Sequence, residues 1–165
     1  LATSEADWRR YYEIYEESLL RWGPRTSSAY GWPLLVRLSR GSQRIRLWLA
    51  EVDSRLACGA ICFYQNTHVA YWHGATSTDL MRLRGTNLLH ARIIANAAHL
   101  GAHWYDFNPS GGHAGVAAFK QSFGAISLQS RVFCRRSKRV RLLEAARKSM
   151  NRVFSRQEHS RRTQQ

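Results

Sequence analysis

The chemistry this sequence could perform gathers around one lysine. The stretch from Phe107 to Ala125 reads FNPSGGHAGVAAFKQSFGA, a glycine-rich loop followed by a lysine between two phenylalanines. Of the 25 Lys and Arg residues only Lys120, Lys138 and Lys148 are lysines, and Lys120 is the only one in the first 134 positions. On a helix Phe119 and Phe123 stand one turn apart, with Lys120 bordering their apolar stripe. A lysine there can snorkel to water past apolar neighbours, which arginine does equally well. A compact ammonium pressed against an apolar wall can instead neutralise one developing oxyanion. The use of lysine in an arginine-rich chain points to the second role.

Other candidates lie close by in sequence. Asp106 ends the short run HWYDF, just before Asn108, Pro109 and the glycines. Its carboxylate can take a proton or cap the following turn, and the sequence leaves both open. The loop is not a phosphate-binding Walker loop, because Lys120 follows no glycine and no Ser or Thr follows it. Upstream, DLMRLRGTNLLHARI holds Arg82, Arg84, Gly85, Thr86 and Asn87, an R-x-x-G-x-N pattern at a helix start. Free N–H groups at such a start hold anions, and glycine lets a phosphate approach. A plain helix cap is the alternative. The seven histidines show no metal-ligand spacing with a supporting acid, so no metal is assigned. His73, near the end of a strand, and His113, in the glycine loop, can each accept a proton.

These residues need elements to position them. SEADWRRYYEIYEESLLRWG has a serine cap, early acids and a glycine stop. Its Trp8, Tyr11, Tyr12, Tyr15, Leu19 and Trp22 recur at helical spacing. A loop bounded by Pro24 and Pro33 follows, then a short helix in LLVRLSRG. RIRLWLAEV, RLACGAICFYQ and HVAYWHGAT read as three strands joined by two-residue breaks at Asp53-Ser54 and Asn66-Thr67, which predicts an antiparallel meander. TNLLHARIIANAAHLGA is predicted helical, with Leu88, Leu89, Ile93, Ala97 and Leu100 as its stripe. HWYDF is a short strand, GVAAFKQSFG a short helix with Val116, Phe119 and Phe123 on one face, and ISLQSRVF a last strand. SKRVRLLEAARKSMNRVFSR is a basic amphipathic helix. The order predicts an α+β fold with a central mixed, mainly antiparallel sheet flanked by helices.

With 165 residues, 44% of them hydrophobic, the chain can bury a real core. No apolar run approaches the roughly 20 residues of a membrane span. Cys58 and Cys62, four apart in a strand, read as small buried residues in a reducing cytoplasm. Residues 135–165 carry 11 Lys and Arg against 2 acids, while residues 1–134 carry 14 against 9. Most of the basicity is therefore in the last segment, which would attract tRNA or anionic lipid, or simply form a solvated helix. The expected location is cytoplasmic, with a peripheral place at the inner membrane face as the variant. The sequence starts without Met and without a signal-peptide pattern, and reads as a piece of something longer.

The motifs RWG, YWHGAT, LLHARIIANAAHLGAHWYDFNPS and AAFKQSFGA together resemble the GNAT superfamily of N-acyltransferases. Within it the chain looks most like the Fem-type peptidoglycan aminoacyltransferase branch, over roughly Asp7 to Phe133. The resemblance places a GNAT-like domain at 1–134 and leaves 135–165 as an added basic helix and tail. Fem-type proteins carry two such halves, and this stretch looks like the second, which implies a preceding GNAT-like half. It also implies a donor cleft at the strand-to-helix turn. There Arg82 and Gly85 match the family's Q/R-x-x-G-x-G/A pattern for the pyrophosphate of acyl-CoA, and Asn87 replaces its last small residue. In members that use aminoacyl-tRNA, the Phe-Lys pair acts at the tRNA end, and Phe119 and Lys120 match that pair.

The implied activity is transfer of an acyl group from acyl-CoA, acetyl-CoA first, to a primary amine. Lys120, Asp106 and His73 are the catalytic candidates. Arg82, Arg84, Gly85, Thr86, Asn87 and Phe119 would bind the donor, and Tyr71, Trp72 and Asn108 would line the acceptor side. A Fem-type aminoacyltransferase using aminoacyl-tRNA is the first alternative. A non-catalytic module that binds tRNA or anionic surfaces is the second.

Overall fold

The structure is a computed structural model. It describes residues 1–23, 26, 29–129 and 137. The chain divides into two compact units, 1–125 and 126–165, and the first contains the elements that follow.

Helix α1 spans Glu5–Trp22 and starts in a capping box: Ser4 Oγ accepts the Asp7 N–H while Asp7 Oδ2 accepts the Ser4 N–H. Helix α2 spans Trp32–Ser39. The sequence put Pro33 at the end of the loop, but it lies in the first turn of α2, where proline's missing N–H is not needed and its φ already suits a helix. Strands β1 (Ile45–Val52), β2 (Arg55–Gln65) and β3 (His68–Thr76) form the expected antiparallel meander. Asp53 and Ser54 both have positive φ, as a tight two-residue hairpin requires. A one-turn 3-10 helix, Met81–Leu83, leads into α3 (Gly85–His99). Strand β4 (Trp104–Asp106) then returns parallel to β3, and α4 spans Ala114–Gln121. The sheet order is β1-β2-β3-β4, so the expected mixed, mainly antiparallel sheet is present.

The sheet has a helical layer on each face. Leu47, Leu56, Ile61 and Ala75 pack with Trp8, Tyr11, Ile14 and Tyr15 of α1 and Leu35 of α2. Cys58, Ala60, Cys62 and Val69 pack with Leu89, Ile93 and Ala97 of α3. Ile61 and Ile93 are wholly buried, and each contributes roughly 2 kcal/mol by leaving water. Both thiols are free and buried, and burial raises them to about 11 for Cys58 and about 12 for Cys62.

Three expectations need correction. Leu88 and Leu100 are exposed, and His90 takes the stripe position between Leu89 and Ile93, because its ring nitrogen finds a partner in Tyr105. Val116 is likewise exposed, whereas Phe119 and Phe123 are half-buried. Ile126–Gln129 form no strand. The remainder of that expected strand and, apart from its first residue Ser137, the expected basic helix lie outside the described residues. Among the described residues no helix is long and apolar enough to cross a membrane.

Two features of β3 prepare the site. Strand β4 pairs with it only from His68 to Ala70, so among the described residues no strand covers its outer edge beyond Ala70. Just past that point, Tyr71 stands opposite Cys62 and His73 opposite Ile61, so Trp72 is an extra residue, a β-bulge.

Candidate active site

The bulge decides which side chains face which layer. In a regular strand Tyr71 and His73 would share a face. With Trp72 inserted, Tyr71 turns toward α3, its ring 4.6 Å from that of His90. Trp72 and His73 both turn toward α1, where they meet Tyr30 and Tyr15. Gly74 leaves room for the Tyr71 hydroxyl, which a side chain at that position would strike.

At the point where β4 leaves β3, three predicted residues come together. The side-chain amide of Asn108 donates to the Tyr71 carbonyl, and Lys120 Nζ donates to the Asn108 carbonyl. Asn108 has φ +59°, a conformation asparagine tolerates better than most residues. Lys120 is only 9% exposed. Burial lowers its pKa, and the nearby Asp106 carboxylate opposes that shift. Phe119 of α4 and Phe123 just beyond it join an aromatic cluster: they pack at 5.2 Å from each other, at 5.4 and 5.8 Å from His90, and around Phe107. The ammonium thus bridges α4 to the loop and through it to β3.

Asp106 is half-exposed. Its Oδ1 accepts the Asn108 N–H at 2.7 Å and its Oδ2 lies 3.7 Å from His68 Nε2. It therefore does cap the following turn. His73 lies on the α1 face, so the two candidate proton acceptors are not partners. Tyr11 Oη stands 2.6 Å from His73 Nδ1, while His73 Nε2 is buried with no hydrogen-bond partner. The rings of Tyr15, Trp22, Tyr30 and Trp72 surround the imidazole.

The predicted donor turn is built at the other end of β3. Arg84 has φ +53° and starts α3 without any side-chain cap, which leaves first-turn N–H groups for a ligand or water. Gly85 sits tightly on β2: a Cβ there would be 3.3 Å from Cys58 Sγ. Thr86 Oγ1 reaches Thr76 Oγ1 at 3.1 Å and ties α3 to the end of β3. Arg82, Arg84 and Asn87 are exposed. An uncapped helix start beside two guanidinium groups suits a phosphate-bearing ligand. Among the described residues no group of three or more His, Cys, Asp or Glu could hold a metal ion.

Sequence reasoning missed Tyr11 and His90 as partners of this region. Tyr11 was visible only as one of a stripe of aromatic residues, and His90 as a polar residue between two apolar stripe positions. Both histidines are pushed down to about 4 by burial. An unfolded histidine titrates near 6.5, so between about 4 and about 6.5 the unfolded chain binds protons that the folded chain refuses. Their contribution to stability is complete above that window and is lost as pH falls through it. Thermal melts from pH 7 to pH 4 should show a falling Tm, the loss of stability amounting to a few kcal/mol. A Tm that stays flat would mean the two rings are not held neutral.

Residues 1–121 match the family model described as the acetyltransferase (GNAT) domain. No curated protein matches the chain. Solved structures do. The ribosomal-protein-S18-alanine N-acetyltransferase from Escherichia coli is 17% identical, with a TM-score of 0.58, over 75% of this chain and 74% of its own. The aminoglycoside N-acetyltransferase AAC(6')-Iy in complex with CoA is 10% identical, with a TM-score of 0.60, over 82% of this chain and 96% of its own. The aminoglycoside antibiotic 6'-N-acetyltransferase AAC(6')-IG from Acinetobacter haemolyticus is 13% identical, with a TM-score of 0.62, over 82% and 95%. None of these matches supports the Fem-type branch or its aminoacyl-tRNA donor. The match to the family model runs over well more than half of the sequence and the solved structures share the fold, so the chain belongs to the GNAT acetyltransferase domain family.

Proposed function

We propose that the protein transfers an acyl group, acetyl first, from a coenzyme A thioester to a primary amine. The observation that carries this reading is the parting of β3 and β4 after Ala70, with Lys120 and Asn108 at the fork and an uncapped α3 start at the far end of the open edge. The first-turn backbone at Gly85 and Thr86, with Arg82 and Arg84, would hold the pyrophosphate of the donor. Asn87 departs from the family's small residue and is exposed. The bound donor supplies an activated thioester carbonyl. Lys120 offers a localised positive charge for the oxygen that gains charge during transfer, in a setting that excludes much of the water. Phe119 backs that lysine. Asp106 offers an exposed carboxylate that can take the amine's proton through water. Tyr71, Trp72 and Asn108 flank the acceptor's approach.

The test is release of free coenzyme A thiol from acetyl-CoA in the presence of a panel of primary amines. Two members of the panel follow from the similar structures: an aminoglycoside and a peptide that begins with alanine. Amine-dependent thiol release, with the acetyl group recovered on the amine, is expected. Absence of release with every amine, together with no measurable coenzyme A binding by calorimetry, would overturn the reading.

A further inference from the structure

Tyr11 is wholly buried, and its hydroxyl is hydrogen-bonded to His73 Nδ1. A buried phenol donates its proton when an acceptor is in reach, and here that acceptor is the Nδ1 lone pair. His73 is neutral in this setting: it is 8% exposed and its ring contacts are aromatic, with no carboxylate among them. A neutral imidazole carries one N–H. If Nδ1 accepts from Tyr11, the ring proton must sit on Nε2. That nitrogen is the one buried side-chain polar atom left without a partner among the described residues. A buried polar group left unpaired in a native fold calls for an explanation, and a ligand that supplies the missing partner is one.

We propose that Tyr11 is a positioning residue that holds His73 in the Nε2–H tautomer, so that, once the enclosing rings of Tyr15, Trp22, Tyr30 and Trp72 part, His73 meets the amine substrate as a hydrogen-bond donor and does not act as the proton acceptor. The tautomer assignment stands on the contact between Tyr11 Oη and His73 Nδ1 and on the phenol being the stronger donor of the two; the reverse arrangement, Nδ1–H to the Tyr11 oxygen, would leave the phenol proton unpaired in place of Nε2–H. The substrate role rests on the acyl-transfer reading. The group that Nε2–H takes is a neutral oxygen, a carbonyl or hydroxyl near the reacting amine. A carboxylate would lose its hydration among the rings of Tyr15, Tyr30 and Trp72, and a neutral imidazole returns no charge to compensate. An aromatic face accepts an N–H more weakly than oxygen does, so a substrate oxygen improves on what surrounds Nε2 without substrate. The bulge at Trp72 makes this possible, because it is what turns His73 toward α1 and Tyr11.

The first experiment uses the full chain labelled with 15N-histidine and no substrate. Long-range proton–nitrogen correlation at pH 7 is expected to show His73 protonated at Nε2, with an unprotonated, hydrogen-bonded Nδ1. In Tyr11→Phe the Nδ1 resonance should move downfield as its hydrogen bond is lost. A wild-type ring protonated at Nδ1, or a Tyr11→Phe spectrum unchanged at His73, overturns the assignment. The second experiment compares transfer by His73→Gln and His73→Leu, both checked for folding by thermal melts. Glutamine keeps an N–H donor but cannot take a proton, so it should retain most of kcat/KM while leucine loses it. Equal loss in two folded variants overturns the donor role. Because the spectra need no substrate, a wild-type protein that fails to turn over would refute the acyl-transfer reading while the tautomer is still decided on its own.

Discussion

Lys120→Met is expected to lower kcat for amine acetylation about 100-fold, equivalent to about 2.7 kcal/mol of lost transition-state stabilisation, while the fold survives. Methionine keeps an unbranched apolar stem of similar length at this buried position, so packing changes little. What disappears is the ammonium and its bond to the Asn108 carbonyl. Two roles for the lysine separate in the kinetics. If it only ties the loop to α4, the loop loosens, KM for the donor rises and kcat is nearly unchanged. If it neutralises the acyl oxygen, kcat falls and KM for the donor stays close to wild type. Steady-state rates against acetyl-CoA, with a thermal melt of each protein, make the distinction. Equal kcat in the two proteins would remove Lys120 from the chemistry.

Gly59→Ala should be strongly destabilising, by about 3 kcal/mol, or roughly 10 °C in Tm. A Cβ at this position would stand 2.5 Å from Tyr11 Cδ2, 2.9 Å from Tyr11 Cε2 and 3.1 Å from Leu49 Cδ2. Tyr11 cannot simply step aside. Its ring is wholly buried and its hydroxyl is bound to His73, so relief would have to move α1 as a body. Gly115→Ala is the contrasting case. Gly115 lies in α4, a Cβ there meets nothing within 4 Å, and alanine should leave stability unchanged or raise it by about 0.5 kcal/mol. Thermal melts of both variants compare the two sites directly. A Gly59→Ala protein that melts like wild type would show that α1 does not pack against β2 as closely as described.

Most of the architecture was legible before any coordinates. Two-residue turns between alternating runs are local signals, and β2 and β3 occupy the predicted residues, Arg55–Gln65 and His68–Thr76. The capped start and glycine stop of α1 are equally local. The residue set of the site was legible in part: Lys120, Asn108 and Tyr71 do join through hydrogen bonds, and Arg82 to Asn87 do form an uncapped helix entry. The stripe of α3 was misread because periodicity weighs hydrophobicity alone. His90 enters the core on the strength of a partner, Tyr105, that is 15 residues away.

Chain order and residue type by themselves determined the meander, the helices and the glycine-marked turns, because each depends on neighbours within a few positions. Only the tertiary structure decided that Trp72 bulges, since a bulge exists only relative to the strand it faces. The same holds for the side of the sheet that His73 faces, and for its tie to Tyr11, 62 residues earlier. Register between strands is a pairwise property, and a shift of one residue exchanges the two faces for every side chain beyond it. The sequence named the groups that could do the chemistry, and the register of β3 on β2 set which of them meet.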